Sequence, residues 1–187
     1  THCDRYGNSI TYNSKQQEFI DLVLSGKSCI MLGAAGTGKT TTIQGVITAL
    51  IQAGKLPPTQ QFQHKYLPSG SYGLAITAFT RRAVANIKRN MPEDVKAHCV
   101  TAHKLLEYAP EYFSVIDENG EEKNTMRFNA TRNYYNPLPS ELRIIVVEES
   151  SMLSLELFRE FESALVDKSA VQFIFLGDIQ QLPPVFG

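Results

Sequence analysis

The sequence predicts an α/β domain, a mainly parallel sheet with helices packed on its faces. Four short apolar runs at residues 28–32, 72–77, 143–147 and 171–176 have the length and residue types of buried strands. Between them, apolar residues recur every three or four positions, the period of a helix with one buried face. Strands that alternate with helices in this way pair in parallel, because each crossover returns the chain to the same end of the sheet.

Residues 1–12 are polar and unpatterned and read as a lead-in, so the domain is assigned to 13–187. SKQQEFIDLVL (14–24) reads as a helix with Ser14 as its N-cap. The strand SCIML (28–32) enters a glycine-rich loop. Beyond it Ile43, Val46, Ile47, Leu50 and Ile51 mark the buried stripe of a helix. Residues 54–72, with Pro57, Pro58 and Pro68, read as a loop. After the strand YGLAIT, a helix beyond Thr80 sets Val84, Ile87 and Met91 on one side. HCVTAHKLL (98–106) is a short strand turning into a short helix. Residues 109–141 break the rhythm: a hairpin turning at Asn119-Gly120, then the polar connector NPLPSE. RIIVV is the third long strand, Leu155, Phe158, Phe161 and Leu165 stripe the next helix, and VQFIFL is the last strand.

The 187 residues, 43% of them hydrophobic, suffice for one core. With 18 Lys+Arg against 19 Asp+Glu there is no global basic field, so any nucleic-acid contact must be local. Cys3, Cys29 and Cys99 lack metal-ligand spacing and read as reduced thiols of an intracellular protein. No apolar run approaches a membrane-spanning length.

GAAGTGKT (33–40) matches G-x-x-x-x-G-K-[ST] in full, between a strand and an amphipathic helix. Gly33, Ala34, Ala35, Gly36, Thr37 and Gly38 form a loop whose backbone N–H groups turn toward phosphate oxygens. The helix N-terminus adds partial positive charge. Lys39 supplies a full charge, Thr40 a hydroxyl for Mg²⁺, and Thr41 completes the set. These features point to a nucleoside triphosphate with Mg²⁺.

Ligands of open α/β sheets bind at the carboxyl ends of strands. RIIVVEE ends there in two carboxylates: Glu148 is read as the Mg²⁺ ligand, Glu149 as the base that orients the attacking water. FLGDIQQLPPV (175–185) is a third polar strand end, whose glutamine suits a γ-phosphate or its attacking water.

In this order the blocks resemble superfamily 1 helicases, particularly the 5′-to-3′ Pif1-, RecD- and Dda-like branch, over nearly the whole chain. NSKQQEFI looks like the Q motif, with Gln17 at the adenine-reading position and Gln16 beside it. AITAFTRRAVANI looks like motif Ia and VTAHKLL like motif Ib, which implies that Phe79, Thr80, Arg81, Thr101 and His103 meet single-stranded DNA, with RNA as the alternative. VVEESSM sits at motif II, and LGDIQQLPPV is close to motif III, with Gln181 as the γ-phosphate-linked glutamine. The resemblance implies the first RecA-like motor domain of an ATP-dependent DNA helicase. A second RecA-like domain, absent from this chain, would supply an arginine to the transition state. The isolated domain is then expected to be weakly active or inactive.

Two positions depart from that pattern. Glu148 replaces the usual aspartate and lengthens the side chain by about 1.5 Å. Phe79 stands where the branch often has proline, and reads equally as a base-stacking aromatic or a core-packing one. Two other classes of function remain alongside: another phosphate-loop NTPase, kinase- or GTPase-like, and a non-catalytic nucleic-acid-binding module with a decayed ATPase site. The guanine-reading Asn-Lys-x-Asp pattern is absent from the sequence. The insertion 109–141 reads equally as a DNA-facing element or a surface hairpin.

Overall fold

The computed structural model describes residues 14–33, 39–56, 63–68, 72–89, 91–149 and 155–178. Its elements run α1 (Ser14–Leu24), β1 (Cys29–Gly33), α2 (Lys39–Gln52), β2 (Leu74–Ala78), α3 (Arg81–Lys88), α4 (Glu93–Lys96), β3 (Cys99–Thr101) and α5 (Ala102–Leu105). They continue with β4 (Ala109–Ile116), β5 (Glu122–Asn129), β6 (Ile144–Glu149), α6 (Leu155–Ser163) and β7 (Gln172–Asp178). Each strand and helix expected from the sequence is present within a few residues. One detail differs: Ser14 is the first residue of α1 rather than its cap.

β1, β7, β6, β2 and β3 form one sheet in that order, every neighbouring pair parallel. The last strand in sequence thus inserts between the first and the one bearing the carboxylates. The pleat sends alternate residues to opposite faces. On one face Leu74, Ile76, Val146, Ile174 and Leu176 pack against Phe19 and Ile20 of α1, Ile43 and Ile47 of α2, and Ile87 of α3. On the other, Ala75, Ile145, Val147, Phe173 and Phe175 pack against Leu105 of α5 and Phe161 of α6. Both layers are buried, which is why the strands are apolar throughout rather than alternating.

β4 and β5 form a separate antiparallel hairpin, its turn closed by Asp117, which accepts from Asn119 N and Glu121 N at 2.9 Å each. The hairpin expected around Asn119-Gly120 thus spans 109–129 of the insertion, with Tyr112, Ile116 and Phe128 exposed. The NPLPSE connector is less polar in place than it reads: Leu138 is 2% exposed and joins the second core layer. Leu67, within the stretch read as loop, does the same. Gly73 is obligatory where β2 begins, because a Cβ there would lie 2.1 Å from the Glu141 carbonyl oxygen.

Cys29 and Cys99 are free and buried. Burial pushes the thiols up to about 11 and about 12, and at Cys99 the Lys88 charge pulls the other way, so both stay protonated and unreactive. Among the described residues no helix is long and apolar enough to cross a membrane.

Candidate functional site

One edge of the sheet collects the chemistry. β1 ends at Gly33 and α2 begins at Lys39, so the glycine-rich loop joins a strand to a helix N-terminus as its motif requires. Gly33 is in register with Asp178 on β7, and Gly177 is in register with Glu149 on β6. Two strand spacings, roughly 10 Å, therefore separate the start of the loop from Glu149. Glu148 alternates with Ile144 and Val146 and so lies on the α2 face of the sheet. It is half-buried there, between Ala78 on β2 and Leu176 on β7. Ala34, Ala35, Gly36, Thr37, Gly38 and Gln181 lie outside the described residues, as do the side chains of Lys39, Thr40 and Glu149. Thr41 is half-buried in the first turn of α2.

The two glutamines of α1 separate. Gln16 is 8% exposed and donates from Nε2 to Thr42 Oγ1 on α2 at 3.1 Å. Gln17 is exposed, its amide donating to Asp21 Oδ1 at 3.0 Å. The motif-bearing glutamine is thus at the surface, and its neighbour ties α1 to the helix that follows the loop.

The same edge continues over β2 and β3 into a groove. Phe79, Arg81, Thr101 and His103, expected from the sequence, line a cavity of about 300 Å³ together with Tyr66, Lys104 and Tyr108. A second cavity of about 350 Å³ adjoins it, shares Tyr66, Arg81, Thr101 and Lys104, and adds Lys88. Among the described residues no carboxylate lines either one. A chain without net basic charge therefore has a local cationic strip, the kind of surface a phosphate backbone requires.

Each threonine also has a local task. Thr80 Oγ1 accepts from Ala83 N at 3.1 Å and caps α3; Thr101 Oγ1 accepts from Lys104 N at 3.1 Å and caps α5. A hydroxyl that accepts in a cap still has its own hydrogen to donate, so Thr101 can cap a helix and face a ligand at once. Thr80 does not line either cavity. Phe79 is half-buried against the second core layer, so part of its ring packs and part meets the groove. His103 is exposed and stands edge-on to Tyr108, centroids 4.6 Å apart. The Tyr108 hydroxyl bonds the Glu160 carboxylate, which fixes that ring.

Sequence reasoning missed Tyr66, Lys104 and Tyr108. Lys104 and Tyr108 follow the Thr-x-His motif within five residues and were findable from it. Tyr66 is not, since it comes from a stretch with no motif.

A parallel sheet with a glycine-rich loop after its first strand, and acidic and polar strand ends beside it, defines a phosphate-loop NTPase core of RecA-like architecture. The chain belongs to the AAA-domain family, whose model matches residues 16–187. It is 27% identical over 173 residues to the RecBCD enzyme subunit RecD of Mycobacterium tuberculosis, covering 91% of this chain and 27% of that protein. It is 27% identical to the ATP-dependent DNA helicase PIF1 of Emericella nidulans over 172 residues, 88% of this chain and 19% of that one. Its fold is similar to the Pif1 helicase of Candida albicans at a TM-score of 0.53 and 21% identity, covering 95% of this chain and 35% of that one. For Bacteroides Pif1 bound to ssDNA the TM-score is 0.51 at 17% identity, with 96% and 34% covered. The chain thus spans about a quarter of the RecD relative's length.

Proposed function

We propose that the chain, over 13–187, is the first RecA-like motor domain of a superfamily 1 helicase of the 5′-to-3′ branch, one that binds and hydrolyses ATP and moves along single-stranded DNA. One observation carries the reading: β1, β7 and β6 end in register with phosphate-chemistry motifs, and on the same edge β2 and β3 open into the cationic groove. Nucleotide and nucleic acid would then meet adjacent strands of one rigid sheet, as a motor requires.

In this reading residues 33–38 cradle the phosphates, Lys39 neutralises them, Thr40 and Thr41 follow on the helix, and Gln17 reads the adenine. Glu149 takes the proton of the attacking water, and Gln181 senses the γ-phosphate. Among the described residues no three His, Cys, Asp or Glu side chains gather into a metal cluster. An oxygen set of one carboxylate and one hydroxyl still suits Mg²⁺, which keeps waters and takes its remaining ligands from phosphates. Glu148, on the α2 face, and Thr40, at the start of α2, would hold it. Bound there, Mg²⁺ would offset the negative charge of the phosphates. Phe79, Arg81, Thr101 and His103 would line the DNA path, with Thr80 shaping it by capping α3. An arginine from a second RecA-like domain would complete the nucleotide site, so this domain alone would turn over slowly.

The test is nucleotide binding and hydrolysis by the full chain and by Lys39→Ala. Loss of MgATP binding or turnover in the variant is expected. Unchanged affinity and rate would refute the nucleotide site.

A further inference from the structure

Segment 63–68 carries no motif, yet it is anchored at almost every residue. Arg132 Nη2 donates to Gln63 O at 2.9 Å. His64 bonds the Leu105 carbonyl through Nε2 at 2.7 Å, while its Nδ1 accepts from Tyr66 N at 3.0 Å. A carbonyl only accepts and an amide N–H only donates, so the neutral Nε2–H tautomer is selected. Lys65 N donates to Glu107 Oε1 at 3.1 Å, and Leu67 enters the core.

The hub is the Glu107–Arg132 ion pair, each side chain 13% exposed. Arg132 Nη1 also donates to Pro137 O at 2.6 Å. Glu107 has φ 50°, the left-handed conformation after α5 that glycine adopts far more easily. Its carboxylate, which glycine lacks, is what grips Lys65 N and Arg132.

Between the anchored residues Tyr66 stays 38% exposed and lines both cavities. The ammonium groups of Lys65 and Lys104 each lie 5.5 Å from its ring centroid. Both ammonium groups sit over the ring, so a nucleotide would exchange partners there: its base takes the ring face and its phosphate draws an ammonium off it.

We propose that Tyr66 is a base-stacking residue of the groove, and that Glu107, Arg132 and His64 are positioning residues that hold it there. This rests on the groove being a nucleic-acid site. Stacking without base-edge contacts implies binding tolerant of sequence but dependent on the presence of bases.

Fluorescence anisotropy with the full chain tests it, using an oligodeoxyadenylate and an abasic oligomer of equal length. Tyr66→Ala should weaken the oligodeoxyadenylate roughly tenfold or more and leave the abasic strand unchanged, with Tyr66→Phe near wild type. Lys104→Ala should weaken both. Glu107→Ala should reproduce the Tyr66→Ala loss and add little to it in the double variant, with folding checked by circular dichroism. Equal losses on both strands in Tyr66→Ala would assign Tyr66 a purely structural part and overturn the proposal. An unaffected Tyr66→Ala beside a weakened Lys104→Ala would overturn the proposal and spare the groove. Failure of the unaltered chain to bind either strand would overturn both.

Discussion

Glu148 and Thr101 lie on either side of β2, two strand spacings apart, each in register with Ala78. Ala78 is fully buried in the core layer against α1–α3, so the three strand ends form a packed unit. In the proposed function one of these ends belongs to the metal and the other to the nucleic acid. A shift at β6 then has a short, stiff route to the groove, because packed interiors transmit displacement rather than absorb it.

The first prediction separates the two carboxylates. Glu149→Gln should lower hydrolysis by about 10²–10⁴-fold while MgATP still binds, as expected for a lost general base. Glu148→Ala should instead weaken the Mg²⁺ dependence of nucleotide binding, and Glu148→Asp should retain it. Titration of Mg²⁺ against turnover distinguishes them, and a Glu149→Gln variant at full speed would exclude its assigned role.

Thr101→Ala should cost about 1 kcal/mol through the lost α5 cap and should also weaken oligonucleotide binding. Thr101→Ser keeps the capping oxygen and should restore both. Denaturant melts paired with anisotropy check this; restored stability without restored binding would show that the methyl group matters to the ligand.

The glutamines of α1 should divide between stability and affinity. Gln16→Ala removes a buried bond to Thr42 and should destabilise the fold by about 1 kcal/mol. Gln17→Ala should leave the melting temperature alone and reduce the preference for ATP over GTP. The opposite pattern would transfer adenine reading to Gln16.

Acid should destabilise the fold through two histidines. Burial lowers His64 and His98 below the ordinary histidine range. Against it, the Leu105 carbonyl and Glu107 raise His64 while Arg132 lowers it further, and the Leu74 carbonyl and Asp94 raise His98. Unfolded, each titrates at about 6.5. Between the folded and unfolded values the unfolded chain binds more protons, so stability rises with pH; it is complete above about 6.5 and falls away below. Glu107 contributes in a lower window. Burial raises its carboxyl, but the bond from Arg132, the His64 and Arg132 charges and the Lys65 amide bring it below the usual carboxylate range. Its share is therefore lost only as pH falls through that depressed value. Melting temperatures from pH 8 to 5 should decline less in His64→Gln/His98→Gln than in the unaltered chain. An unchanged slope would assign the acid sensitivity to carboxylates instead.

The sequence by itself determined the elements and most of the candidate site. The 74–78, 144–149 and 172–178 strands, the α2 stripe and the glycine-rich loop are local patterns, set by periodicity and by the conformational needs of a few consecutive residues. Thr101 and His103 were legible for the same reason, lying two residues apart. Only the tertiary structure decided that β7 enters between β1 and β6, which brings Asp178 beside Gly33 and Gly177 beside Glu149. It also decided that Gln16 turns inward while Gln17 stays out, and that an unmarked segment delivers Tyr66 to the groove. Strand order and the Glu107–Arg132 clamp join residues far apart in the chain. Such pairings arise from how buried faces and charges satisfy one another at a distance, which no local period encodes.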